Sequence, residues 1–260
     1  MSTKRSFALL GICLTVWFVF AWLSVAGAGS GAPASAAAQV ERVTGKSPAK
    51  LVPQMESNLA SSDALMTFVN PADASEFWFE RKTGRLRYYS NTKAYGRGTV
   101  ADKGADWIIA AAERQVRRAY DPERLKHMTR TIEREVHGDE VDYVVSYQET
   151  VDGVPTFNTV RMIFMTDGVL ANYLVDDCDV EVSLEPDLAQ EDAVVIAGRQ
   201  SEFQRWSSEC AELRAIRTDE GAQYLVWEVE LRTGDCNFGA TSWSLIDAHT
   251  GAVINTAIGE

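Results

Sequence analysis

Ser244-Leu245-Ile246-Asp247-Ala248-His249-Thr250-Gly251-Ala252-Val253-Ile254 is the stretch on which the fold turns. A short apolar strand runs into a tight turn whose glycine can take positive φ, and a second strand returns. The arrangement occurs twice upstream, in Phe77-Trp78-Phe79-Glu80-Arg81-Lys82-Thr83-Gly84-Arg85-Leu86-Arg87-Tyr88-Tyr89 and in Met162-Ile163-Phe164-Met165-Thr166-Asp167-Gly168-Val169-Leu170. The turn glycines Gly84, Gly168 and Gly251 are 84 and 83 residues apart. Other features keep step. Tyr143-Val144-Val145-Ser146-Tyr147-Gln148-Glu149 precedes Gly153, and Tyr224-Leu225-Val226-Trp227-Glu228-Val229-Glu230 precedes Gly234, both at an offset of 81 residues. Isolated Thr-Gly or Asp-Gly dipeptides are common, but a near-constant offset across several features signals internal duplication.

Each repeat begins with a helix. Trp107, Ile108, Ala111, Ala112, Val116 and Ala119 form an apolar stripe at helical spacing, with Asp102 as expected N-cap and Asp121-Pro122 as the stop. A second helix is expected from about Leu188 to Trp206, started by Asp187. Four strands follow each helix, near 126–137, 141–150, 156–166 and 169–176, then near 211–218, 223–233, 241–248 and 252–257. This is an α+β plan, one helix packed on a curled antiparallel sheet, made twice. The expected division is 1–28 signal anchor or signal peptide, 29–64 flexible linker, 65–182 first unit with its leading hairpin, and 183–260 second unit.

The apolar run from Phe7 to about Ala26 follows Lys4 and Arg5, the only charges before Glu41. About 20 helical residues span the hydrocarbon core of a bilayer. Ala26-Gly27-Ala28 also fits a signal cleavage site, so both a retained anchor and a cleaved signal stay open. Either way, positive charge is held inside and the remainder is extracytoplasmic, periplasmic or at the cell surface, and secreted if the signal is cleaved. With Lys4 and Arg5 set aside, 23 of the 25 basic and all 37 acidic residues remain, a net charge of −14 against −12 for the whole chain. Such a surface repels phosphate backbones and excludes nonspecific nucleic-acid binding.

Signals for chemistry are few. Thr44-Gly45-Lys46-Ser47 lacks the first P-loop glycine, since position 40 is Val. Gly96-Arg97-Gly98-Thr99-Val100-Ala101 lies among antiparallel units and reads as a loop rather than a dinucleotide fingerprint. His127, His137 and His249 are far apart, and His249 sits in a turn where solvent suffices. No catalytic residue and no cofactor are expected. Asp176, Asp177, Asp179 and Glu181 form an acid cluster after a strand, a weak candidate for Ca²⁺ that reads first as a solvated loop. Cys178, Cys210 and Cys236 fall outside the cytoplasm, and a Cys210–Cys236 disulfide is expected, with Cys178 left over. It would close a 27-residue segment and contribute about 3 kcal/mol. Trp78, Phe79, Tyr88, Tyr89, Trp227 and Trp243 are read as strand packing.

At this point a resemblance enters. The helix, the Trp227-Glu228-Val229 strand and the run from Trp243 through Asp247-Ala248-His249-Thr250-Gly251 to Val253 look like a PepSY domain. The upstream repeat, with Tyr147-Gln148-Glu149 and Val151-Asp152-Gly153-Val154-Pro155, is similar to domains of thermolysin-type propeptides and to PepSY-like repeats of the YcdB/YcdC type. The resemblance covers roughly residues 77–258. It implies cystatin-like α+β modules outside the cytoplasm, which in propeptides inhibit or help fold an attached peptidase, and it implies no catalytic residues. No His-Glu-x-x-His motif occurs in this chain. The expectation is therefore a noncatalytic protein that contacts a partner in trans, an exported peptidase, with a small-ligand or Ca²⁺-binding envelope protein as the alternative.

Overall fold

The computed structural model describes residues 32–48, 51–53, 65–95, 100–137, 140–201, 205–218, 220–233 and 240–259. The N-terminal apolar run, Gly234, Cys236 and most of the 96–101 loop lie outside the described residues. Among the described residues no helix is long and apolar enough to cross a membrane. The chain divides into two compact units, Met1–Lys93 and Ala94–Glu260.

Where it is described, at 32–48 and 51–53, the first unit departs from the reading of 29–64 as a flexible linker. Helix α1 occupies Ala32–Thr44, and β1 (Val52–Pro53), β2 (Leu65–Asn70), β3 (Ser75–Glu80) and β4 (Leu86–Ser90) follow as an antiparallel meander. A small-residue run read as a linker is also alanine-rich, and alanine is the best helix former. Ala36, Val40 and Val43, at i, i+4 and i+7, are all buried on one stripe. β3 alternates cleanly, with Ser75, Phe77 and Phe79 buried. Phe77 packs on Tyr89 at 5.2 Å between ring centroids, Phe79 meets Phe68 edge-on at 5.5 Å, and Trp78 lies against Tyr88 at 4.6 Å. What sequence alone presented as a leading hairpin is thus a complete module of one helix and four strands.

The second unit holds two more modules. Helix α2 is Ala105–Ala119 and the one-turn α3 is Pro122–Leu125. β5 (Met128–His137), β6 (Glu140–Val151), β7 (Val154–Met165) and β8 (Leu170–Asp176) then form a meander. The third module has α4 (Gln190–Gln200), β9 (Ser208–Arg217), β10 (Gln223–Arg232), β11 (Thr241–Asp247) and β12 (Val253–Gly259), in the order β12-β11-β10-β9. Each helix covers one sheet face. Ala193, Val194 and Ala197 of α4, for example, pack on Val229, Leu231 and Ile246. A second cluster, Val154, Leu225 and Ala248 with Leu213 and Trp227 against it, draws residues from both modules of this unit.

The turns make the repetition physical. Gly84, Gly168 and Gly251 have φ of 67°, 81° and 73°. In the first and third modules the loops share three bonds. Glu80 N–H donates to Arg85 O (2.8 Å) and Gly84 N–H to Glu80 O (2.7 Å), as Asp247 N–H does to Ala252 O (2.8 Å) and Gly251 N–H to Asp247 O (2.9 Å). Thr83 Oγ1 accepts from Arg85 N–H and Thr250 Oγ1 from Ala252 N–H, both at 3.2 Å. The middle loop is one residue shorter, with Met165 N–H on Val169 O at 2.9 Å. Each helix seats on its turn. Gln39 of α1 donates to Gly84 O (2.7 Å) and accepts from Leu86 N–H (2.7 Å), Trp107 of α2 lies over Gly168, and Ile196 of α4 comes against Gly251. Gln39→Ala removes both bonds at once and is expected to destabilise the first unit by about 2 kcal/mol. Denaturant unfolding followed through that unit measures this, and Gln39→Glu, which keeps the acceptor, should cost less.

Two boundary expectations shift. α2 starts after Gly104 (φ 80°), and Asp102 accepts from Gly104 N–H (2.7 Å) and from the Tyr143 hydroxyl (3.1 Å) instead of capping the helix. α4 ends at Gln200, short of Trp206, because Trp206 folds back over Gly198, where a Cβ would come within 2.5 Å of its ring.

Candidate functional site

The densest set of buried polar groups lies where the second module hands over to the third. β6 and β7 shift register between Gln148 and Thr150, a bulge that frees Glu149 from pairing with β7 while it still stands opposite Met128 of β5. Glu149 is only 6% exposed. Its Oε2 accepts from the Thr156 hydroxyl (3.0 Å) and from Asn158 Nδ2 (2.6 Å), both buried on β7. The Asn158 amide also donates to Cys178 O (3.0 Å), and its Oδ1 accepts from Cys178 N–H (2.9 Å). One side chain thereby fixes the backbone just past β8. On the other side Arg124, presented by α3, pairs with Asp177, donates to Cys178 O (3.2 Å) and pairs with Asp179 (2.7 Å). Asp121 caps α3 by accepting from Glu123 N–H (2.9 Å), which sets the angle at which Arg124 leaves.

Asp177 is 2% exposed, so its charge needs the guanidinium that meets it. Tyr120, buried at the end of α2, has its phenol pKa pushed up by burial and then by the Asp177 charge. Arg124 already serves three oxygens of this chain, and its bonds to Asp177 and Cys178 O point it inward.

Burial also raises Tyr147, and it raises Tyr89 of the first unit to about 12, with Asp73 adding to the shift. These phenols stay protonated in the folded chain after the unfolded chain has begun to ionise near its ordinary 10.0. The stabilisation from Tyr89 is full below about pH 10 and is lost as pH climbs towards about 12, and Tyr147 and Tyr120 contribute in the same direction. Denaturation at about pH 9 and about pH 11 should show a decline that Tyr89→Phe and Tyr120→Phe reduce.

The acids expected as a Ca²⁺ cluster are separated by cations. Asp176 pairs with Arg217 (3.3 Å), Asp177 and Asp179 pair with Arg124, and Glu181 is held through its backbone N–H, which donates to Gln223 Oε1 (2.7 Å). Among the described residues no group of three or more His, Cys, Asp or Glu side chains is placed to hold a metal ion. Cys210 is a free, exposed thiol opposite Glu230. Its expected partner Cys236 lies outside the described residues.

His249 differs from the solvent-only turn residue expected. Its Nδ1 lies 3.1 Å from Asp187 Oδ2 and its Nε2 lies 3.2 Å from Ser183 O, tying the β11–β12 turn to the segment before α4. A hydrolytic dyad needs a hydroxyl or thiol at the second ring nitrogen, and a backbone carbonyl stands there instead. Of the aromatics, Phe79 and Tyr89 are core, and Trp227 packs under α4 with its indole N–H donating to Leu188 O (2.9 Å). Trp243, read as packing, is 39% exposed.

Arg124, Glu149 and Asn158 were not singled out by sequence. A signal for Glu149 was present. It falls in phase with the inward-facing Tyr143, Val145 and Tyr147 of β6, where a carboxylate demands partners.

Fold and cluster together define a class: an α+β protein built from repeated modules of one helix and a four-stranded antiparallel meander, with a buried ionic clasp at a module junction. No family model matches the chain, and no curated protein sequence matches it. Among solved structures it is similar to the Bacillus megaterium YpeB C-terminal domain, with 14% sequence identity, 88% of this chain and 97% of that chain covered, and a TM-score of 0.48.

Proposed function

We propose that this is a noncatalytic, extracytoplasmic protein of PepSY-like modules, tethered or exported by its N-terminal segment, that acts by protein–protein contact. The partner would be an exported peptidase, inhibited or assisted in folding in trans. One observation carries the reading: among the described residues, the polar side chains gathered around the module junction and the last turn are engaged with other groups of this chain. Glu149 serves Thr156 and Asn158, Arg124 serves Asp177, Cys178 and Asp179, and His249 serves Asp187 and Ser183. A scaffold so organised presents strands and faces. The apolar export segment and the resemblance of the Trp243–Val253 run support the placement and the family. The alternative of a Ca²⁺-binding protein loses its support where Arg124 and Arg217 neutralise the acids.

Affinity capture from envelope fractions, with the purified chain assayed against secreted proteolysis, tests the proposal. A specific peptidase partner or a change in secreted protease activity is expected. Neither partner nor effect overturns it.

A further inference from the structure

The exposed border of the third module differs from those of its neighbours. β12 is the last strand of its sheet and pairs with β11 on one side. Its sequence, Val253-Ile254-Asn255-Thr256-Ala257-Ile258-Gly259, contains no charge and no proline. Asn255, Thr256 and Ala257 are exposed in succession, so both sheet faces are open at this edge. The other border strands carry guards against pairing. β5 has Arg130, Glu133, Arg134 and Glu135, and β9 has Glu209, Glu212, Arg214 and Arg217. Charges on an edge strand are the usual means of preventing strand addition, and β12 has none. Beside it Trp243 stands opposite Ala257, whose small side chain leaves the indole open to a residue from an added strand.

We propose that β12 is a self-pairing edge: two copies of the chain join β12 to β12′ antiparallel about a two-fold axis, making one continuous eight-stranded sheet from their third modules. The occupant is a second copy because the strand is complementary to itself. With the axis near Thr256, Asn255 faces Ala257′ and Val253 faces Gly259′, all uncharged or small. Each copy carries a net charge of −12, so two copies repel unless they meet where charge is lowest. A seven-residue strand pair falls short of the roughly 1,200–2,000 Å² of standard stable interfaces, so the dimer is weak and concentration-dependent. This inference does not rest on the peptidase reading.

The test is sedimentation equilibrium of the full chain in mild detergent, which keeps the apolar N-terminal run from driving association. A monomer–dimer equilibrium is expected, strengthened by added salt as the like charges are screened. Thr256→Lys and Thr256→Glu, at an exposed position that should leave folding intact, are each expected to weaken it roughly fivefold or more. Mixing the two variants should restore association, because unlike charges then face each other. A chain monomeric at every concentration and salt, or a dimer indifferent to both substitutions, overturns the proposal. The first of these results leaves β12 open to a strand from a different protein.

Discussion

Arg124→Met is expected to lower the stability of the second unit by about 3 kcal/mol, read as a fall of roughly 6–12 °C in melting temperature. The reason is asymmetry. Arg124 is 28% exposed in its side chain, so water can solvate its charge, but Asp177 is almost fully buried. Remove the cation and the carboxylate is left without its strongest partner, which costs more than the intact pair ever contributed. The partial exposure of Arg124 places the effect at the low end of the range for buried pairs. Arg124→Met with Asp177→Asn should recover most of the loss, since neither charge then remains. Asp177→Asn alone should cost less than Arg124→Met, because the guanidinium keeps Asp179 and Cys178 O. A double mutant no better than Arg124→Met would show that the clasp is not the source of the stability.

Gly168→Ala is the second large effect. Gly168 has φ of 81°, a left-handed conformation that an added Cβ disfavours by about 1–2 kcal/mol. A Cβ built there would also overlap the Trp107 indole, which sits over the turn and holds Lys103 at 4.0 Å from its ring centre. Trp107 is 38% exposed, so it can swing clear, but only by giving up its seat on the hairpin and its cation–π contact. The expected loss is about 3 kcal/mol. Gly153→Ala is the control: φ is 85° and nothing lies within 4 Å of its Cβ position, so it should cost only about 1 kcal/mol. Equal losses at the two glycines would mean that the indole contact is worth nothing. Hydrogen exchange adds a local readout, since losing the Trp107 seat should loosen α2 and the middle hairpin together.

Both experiments probe features that differ in how far the chain announces them. The strands of the second unit lie within a few residues of where periodicity and turn residues place them. The Thr-Gly and Asp-Gly turns adopt the positive φ that their glycines permit. These are local matters, decided by a handful of neighbouring residues. α1 was hidden because alanine-rich sequence is ambiguous: the same run serves a linker or a helix. Here the burial of Ala36, Val40 and Val43, against strands far along the chain, decides for helix. The acid cluster looked alike in sequence whether solvated, metal-binding or paired, because Arg124 and Asp177 are 53 residues apart and no spacing rule joins them.

The sequence by itself determined the repeat, the antiparallel meanders and the hairpin turns, since each depends on short-range periodicity and on glycines that relieve local strain. Only the tertiary structure decided that the repeats number three, that Glu149 turns inward onto Thr156 and Asn158, and that Arg124 closes on Asp177 across the junction. These depend on which surfaces lose water together. That is a property of the packed chain, because a charge is costly or harmless according to what folds over it.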